Sequence, residues 1–336
     1  MTPPGRAIAG RIVDPLRGVF DGVVLIDEHG QIASVEERPD AGRSPPFIFP
    51  GFVDLQLYDT RHAVAKGVTT YLARFGTSPP GVVDAFLTSL PVETSCFGAH
   101  IEGPYLNPDA AGAHPVEEIR AVDHAELGAW LATGRVRMVT VAPEASGALE
   151  AIELIREAGA VAAVGHTHAD PRLVGEAVDA GATFATHVWN AMGPASSRAP
   201  GPAATLIADQ RVTLGLIADG RHLHPIIEEL TIRAAGASRV AITSDLIAPP
   251  REDDAGEPVG GDLCGAALVE RSARIGLREA AMMASLVPSL LLGLTDRGRV
   301  APGFRADLAL VSREFRPVET IVAGAVAAAT DTRTDR

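Results

Sequence analysis

Three runs decide how this sequence is read: Gly98-Ala99-His100-Ile101-Glu102-Gly103-Pro104, Ala163-Val164-Gly165-His166-Thr167-His168, and Ala185-Thr186-His187-Val188-Trp189-Asn190. Each is an apolar stretch that ends in a ligand-type side chain. A carboxylate (Glu102) and two imidazoles (His166 and His187) at the ends of predicted strands suit a divalent metal with one position left open to water. Taken singly, Glu102 reads as a turn carboxylate at the surface, and each histidine as structural. Three such residues at three strand ends shift the reading toward a site.

Outward from these runs, a β-then-α pattern repeats. Strands are expected at 51–57, 68–74, 97–101, 137–142, 160–165, 183–187, 212–217 and 239–243, with helices between most of them, for instance at 149–158, 173–180 and 225–234. Eight strands with intervening helices predict an α/β protein with a (β/α)8 TIM-type barrel over 48–299. In such barrels the chemistry sits at the C-terminal strand ends, where these polar residues fall. Short alternating strands flank the barrel at 1–47 and again at 300–336. They predict a small β domain built from both chain termini.

The composition agrees. Hydrophobic residues make up 46% of 336, charged residues 21% and aromatics 4%, so the core is expected to be Val, Leu, Ile and Ala, as in a packed parallel sheet. The net charge of −13 and the lack of a basic stripe exclude a nucleic-acid binder. An anionic substrate would need local positive groups. No signal-peptide pattern or membrane-length apolar run is present, so the expectation is a soluble, cytoplasmic protein with no membrane partner. Two cysteines, Cys96 and Cys264, leave a disulfide open and suggest no disulfide framework.

Further residues carry possible chemistry. Asp245 ends the last barrel strand in Ala241-Ile242-Thr243-Ser244-Asp245; it reads either as a turn or N-cap aspartate, or as a proton acceptor beside a metal. Asp219-Gly220-Arg221-His222 follows the strand ending at Ile217, and Arg198 precedes a predicted helix. Such an arginine is usually exposed and without function, yet an Arg and a His near a helix N-terminus also make a phosphate clamp.

Read together, HIEGPYLNP (100–108), AGAHP (111–115), VAPE (141–144), VGHTH (164–168), ATHVWNAMGP (185–194), LGLIADGRHLHP (214–225), ITSDLIAP (242–249) and the run at 286–311 resemble the N-acetylglucosamine-6-phosphate deacetylases of the amidohydrolase superfamily. The resemblance runs in order along nearly the whole chain. It implies Glu102, His166 and His187 as metal ligands, Asp245 as acid/base and His114 as a polariser of the scissile carbonyl. It implies substrate contacts at Ala113, His114, Asn190, Ala191, Arg198, Asp219, His222 and the turn Leu263-Cys264-Gly265. It further implies one divalent metal per subunit (zinc first, with iron, cobalt or manganese also fitting), a small amino-sugar phosphate as substrate, and a homodimer.

The sequence also departs from that family. Many amidohydrolases carry His-x-His on the first strand for a second metal; here Gln56 and Tyr58 stand there. His168 stands where Asp or Asn is more usual, and reads as an exposed residue or a neighbour of the ligands. The segments 59–67 and 265–276 look trimmed. Two other readings therefore stay open: a related amidohydrolase acting on another N-acetylated amino-sugar phosphate or amide, and a non-catalytic homologue that binds metal or sugar phosphate.

Overall fold

All eight expected barrel strands are present in the computed structural model, which describes residues 5–39, 46–58, 63–91, 93–246, 251–252, 258–259, 265, 269–270 and 274–329. A seven-stranded sheet comes from the two ends of the chain. It contains β1 (Arg6–Asp14), β2 (Gly18–Ile26), β3 (Ile32–Glu37), β4 (Phe47–Pro50), β15 (Leu308–Val311), β16 (Pro317–Val322) and β17 (Ala325–Ala329). Its strand order is β17-β16-β15-β4-β1-β2-β3, so the C-terminal strands join the N-terminal ones through the β15–β4 pair. Ile8, Ile12, Val24, Ile32, Ile48, Leu308 and Ile321 form its own core. Asp14, buried at the end of β1, ties this sheet to the following structure by accepting from Arg299 Nη2 (3.0 Å) and Val300 N (3.0 Å).

The barrel strands are β5 (Phe52–Leu57), β6 (Val68–Phe75), β7 (Cys96–Glu102), β8 (Val136–Val141), β9 (Val161–Val164), β10 (Phe184–Ala185), β11 (Thr213–Ile217) and β12 (Val240–Thr243). They pair in parallel, in sequence order. β13 (Arg251–Glu252) and β14 (Pro258–Val259) form a separate short ladder. Helices α1 (Val82–Ser89), α2 (His124–Ala132), α3 (Ala148–Glu157), α4 (Pro171–Ala180), α5 (Gly201–Ala208) and α6 (Pro225–Ala235) occupy the connections from β6 onward. After the barrel, α7 (Leu277–Ala281), a π-helical turn (Met282–Leu286) and α8 (Val287–Leu291) run continuously. Among the described residues of 59–67, the first connection holds only the 3-10 turn Val64–Lys66.

Local chemistry sets these helices. In α4, Asp170 caps the N-terminus by accepting from Leu173 N at 2.9 Å, Pro171 stands at the first turn, and Val174, Ala177 and Val178 bury one face. Such faces pack outside the strands. Inside the barrel, Val53, Leu55, Leu72, Met138, Ala163, Phe184 and Ala241 fill an apolar layer.

A polar layer lies above it. His100 Nδ1 is 3.0 Å from the Leu55 carbonyl, which can only accept, so Nδ1 carries the proton. Nε2 must then accept from the Thr140 hydroxyl (2.7 Å), and Thr140 in turn accepts from Thr186 (2.7 Å). Burial pushes the His100 pKa down to about 4, which keeps this relay neutral.

The first and last strands do not form a full ladder. Their seam is held by Ser244 N donating to Asp54 Oδ1 (3.2 Å), Ser244 Oγ donating to the Gln56 carbonyl (3.3 Å), and a bridge between Leu57 and Leu246. Burial pushes the Asp54 carboxyl up to about 6. A carboxyl raised in the folded state is protonated there while the unfolded chain has already lost its proton. Stability therefore falls as pH rises from about 4 to 6, by about 3 kcal/mol for this group. Asp54→Asn keeps an acceptor oxygen for Ser244 N and for Gln56 N, which also donates to Asp54 Oδ1 (3.1 Å), and should flatten that fall. Urea unfolding of both proteins at pH 4 and 7 checks it: the variant should gain relative stability at pH 7 and not at pH 4.

Candidate metal-centred site

The C-terminal strand ends bring Glu102, His166 and His187 together. Glu102 Oε1 lies 2.9 Å from His166 Nε2 and 2.8 Å from His187 Nε2, and the two nitrogens are 3.1 Å apart. All three residues are buried. Glu102 is in phase with the inward face of β7, through His100. The two histidines are not in phase. Counting by two from the barrel-lining Ala163 and Phe184 puts His166 and His187 on the outer face. Each has positive φ (49° and 26°), and this left-handed step past the strand end turns its ring to the barrel mouth.

Strain is concentrated here. Of the seven non-glycine residues with positive φ among the described residues, five are His166, His187, Trp189, Ala191 and Asp245. Tertiary contacts must hold such conformations in place. Glu144, from the VAPE run, supplies several: it accepts from the Thr167 hydroxyl, from His168 N (2.6 Å) and from Asn107 Nδ2 (2.7 Å). His168 itself is exposed.

Hydrogen-bond logic tests whether the three residues fit a metal. His166 Nδ1 donates to the Ala110 carbonyl (2.9 Å), so its Nε2 is a lone-pair acceptor. That acceptor faces a carboxylate oxygen at 2.9 Å, an arrangement satisfied by a shared cation. The buried His187 Nδ1 has no hydrogen-bond partner. The ligand triangle, with edges of 2.8–3.1 Å, is close to the ~3.3 Å separation of donors held tetrahedrally at 2.0–2.1 Å. Two imidazoles and one carboxylate are a fitting donor set. Burial opposes charge on Glu102, but Arg74 and His187 hold its carboxyl well below the usual range. Burial likewise opposes charge on His187, and Glu102 outweighs it to raise the imidazole.

Asp245 follows β12 at the same mouth and is 6% exposed. Burial pushes its carboxyl up against the pull of Arg74, with Glu102 adding to the rise. His114 is buried, and its Nδ1 accepts from Thr77 N (3.1 Å). The His114 Nε2 faces the Arg74 Nη2 donor at 3.2 Å. Burial, His166 and Arg74 push its pKa well down, which keeps it neutral. His114 stacks edge-on to His166 with ring centres 4.5 Å apart.

The expected substrate contacts lie in the surrounding loops. Asn190 Nδ2 donates back to the His187 carbonyl (3.2 Å), and the Ala191 carbonyl accepts from Thr167 N (3.1 Å). Asp219 is spent on its own turn and on orienting His222, whose Nδ1 is 2.8 Å away. Burial and that contact compete at Asp219, and the carboxyl ends below its usual range. Glu228, buried on α6, accepts from Gly220 N (3.0 Å) and pins this loop. Arg198 and Ala113 are exposed. Leu263 and Cys264 lie outside the described residues, and Gly265 is in a turn.

Sequence reasoning missed Arg74. It stands next to last in β6, in phase with the barrel-lining Leu72, and contacts Glu102 and His114. An arginine two residues from Leu72, on the inward phase of a buried strand, was the available signal.

The amidohydrolase family model matches residues 47–327. The N-acetylglucosamine-6-phosphate deacetylase of Bacillus subtilis is 31% identical over 92% of this chain and 93% of its own length. The chain belongs to the amidohydrolase family, in its N-acetylglucosamine-6-phosphate deacetylase branch. The deacetylase of Danio rerio is 30% identical over 94% of this chain and 90% of its own. Among solved structures, a variant of the Mycobacterium smegmatis deacetylase in complex with N-acetyl-D-glucosamine-6-phosphate superposes with a TM-score of 0.86, at 28% identity, over 96% of this chain and 99% of its own. The Thermotoga maritima deacetylase gives 0.90 at 26%, over 97% and 100%. The site rests on the polar layer beneath it, through His100 and Thr140. His100→Ala strands the Thr140 hydroxyl and the Leu55 carbonyl and opens a cavity, so denaturant unfolding should show a loss of about 2–4 kcal/mol. A loss below ~1 kcal/mol would contradict that relay.

Proposed function

We propose that this chain hydrolyses the acetamide of N-acetylglucosamine 6-phosphate to glucosamine 6-phosphate and acetate, with Glu102, His166 and His187 holding one divalent metal. The observation that carries the reading is the convergence of the three donors, with His166 Nε2 presented as a lone pair. The bound N-acetyl-D-glucosamine-6-phosphate in the Mycobacterium smegmatis deacetylase supports the choice of substrate. Zinc is the metal we favour, and iron, cobalt or manganese also suit these donors.

A bound divalent ion acidifies water and polarises a carbonyl. Asp245, with its raised pKa, takes the proton of the attacking water and returns it to the departing amine, so one water and one amide give one acetate and one amine. His114 polarises the carbonyl as negative charge grows on its oxygen. Arg198 and His222 hold the phosphate, with Asp219 fixing the His222 ring. Asn190, Ala191, Ala113 and the Leu263-Cys264-Gly265 turn bound the sugar. The functional unit is proposed to be a homodimer, for which light scattering should give twice the mass of the chain.

Acetate release from N-acetylglucosamine 6-phosphate tests the reading. Turnover should need metal and fall at least ~100-fold in Asp245→Asn, the range for loss of a general acid/base. Equal turnover of unphosphorylated N-acetylglucosamine would contradict the phosphate clamp. No turnover in folded, metal-loaded protein would contradict the reaction.

A further inference from the structure

Arg74 is the one strongly placed group at this mouth without a part in the reaction above. Its side chain is only 10% exposed. Nε pairs with Glu102 Oε2, while the other oxygen, Oε1, faces both histidines. The same Nε lies 3.6 Å from Asp245 Oδ1, a buried atom with no hydrogen-bond partner. Nη2 is 3.2 Å from His114 Nε2. The Tyr58 ring is centred 6.0 Å from the guanidinium carbon, at the limit for a cation–π contact.

One fixed positive charge thus meets the two buried carboxylates of the site from the side away from the histidines. Remove it, and Glu102 Oε2 and Asp245 Oδ1 become two anionic oxygens without a cation. Carboxylate oxygens are donors that attract divalent cations. With the guanidinium in place, their negative charge is already met, and a second dication would be repelled at contact distance.

We propose that Arg74 serves as the built-in second cation of this site: it turns Glu102 so that only Oε1 is offered to a metal, and it limits the centre to one divalent ion. Arg74 is a positioning residue here, acting through Glu102 and Asp245. The inference rests on the metal reading above and adds to it the residue that enforces a single ion.

The test is metal content and calorimetric titration with zinc on stripped protein, for wild type, Arg74→Leu and Arg74→Lys, with thermal unfolding recorded for each. Wild type should take one equivalent at the centre, Arg74→Leu two, and Arg74→Lys, which keeps the charge, one. Two equivalents in wild type or in Arg74→Lys, or one in Arg74→Leu with unchanged affinity, would overturn the inference and leave the single-site reading of the three ligands to its own test. No zinc bound by wild type would overturn the metal reading, and this inference with it.

Discussion

The central constraint is the complete burial of the Glu102 carboxylate. An ionised carboxylate out of water is costly unless positive charge and hydrogen bonds meet it. Here Oε2 is met by Arg74, and Oε1 faces two imidazole nitrogens at 2.8 and 2.9 Å, where a shared cation would meet it. The rest of the mouth follows from that. Charge on Glu102 raises the proton affinities of His187 and of Asp245, while Arg74 helps keep His114 neutral. One buried anion therefore brings a proton acceptor, a neutral imidazole and a cation site within a few ångströms of one another.

Holding this arrangement costs backbone strain. His166, His187, Trp189, Ala191 and Asp245 each sit at positive φ, at roughly 1–2 kcal/mol apiece for residues other than glycine. The scaffold compensates. The apolar layer of Val53, Leu55, Leu72 and Met138 sits below the neutral His100–Thr140–Thr186 relay, and that relay links four strands. Asp54 closes the seam between the first and last strands. Stability is generated low in the barrel and spent at its mouth, as expected where catalytic side chains are carried on strand ends.

Much of this was legible in the sequence. The eight strands could be read because β-branched runs alternate with amphipathic helices, and the β-rich ends read as one sheet because neither could bury its faces alone. Glu102 was legible because Gly103-Pro104 stops its strand in phase with the core. His166 and His187 were legible as strand-end residues, but their inward orientation depends on left-handed backbone that strand periodicity does not predict. Arg74 was not read, because a lone arginine at a strand end ordinarily marks solvent. Asp219 was expected at the substrate, and its oxygens engage its own turn and His222, a neighbour that strand periodicity does not reveal. Tyr58 acquires a physical context only once Arg74 is seen beneath it.

The claim on which the account turns is that Glu102, His166 and His187 are one coordination sphere. X-ray absorption at the zinc edge, on protein loaded with one equivalent, tests this most directly. The account predicts nitrogen and oxygen neighbours at about 2.0–2.1 Å with the outer-shell scattering of two imidazoles. His187→Ala should remove one of them. A spectrum without imidazole scattering, or one unchanged in that variant, would contradict it.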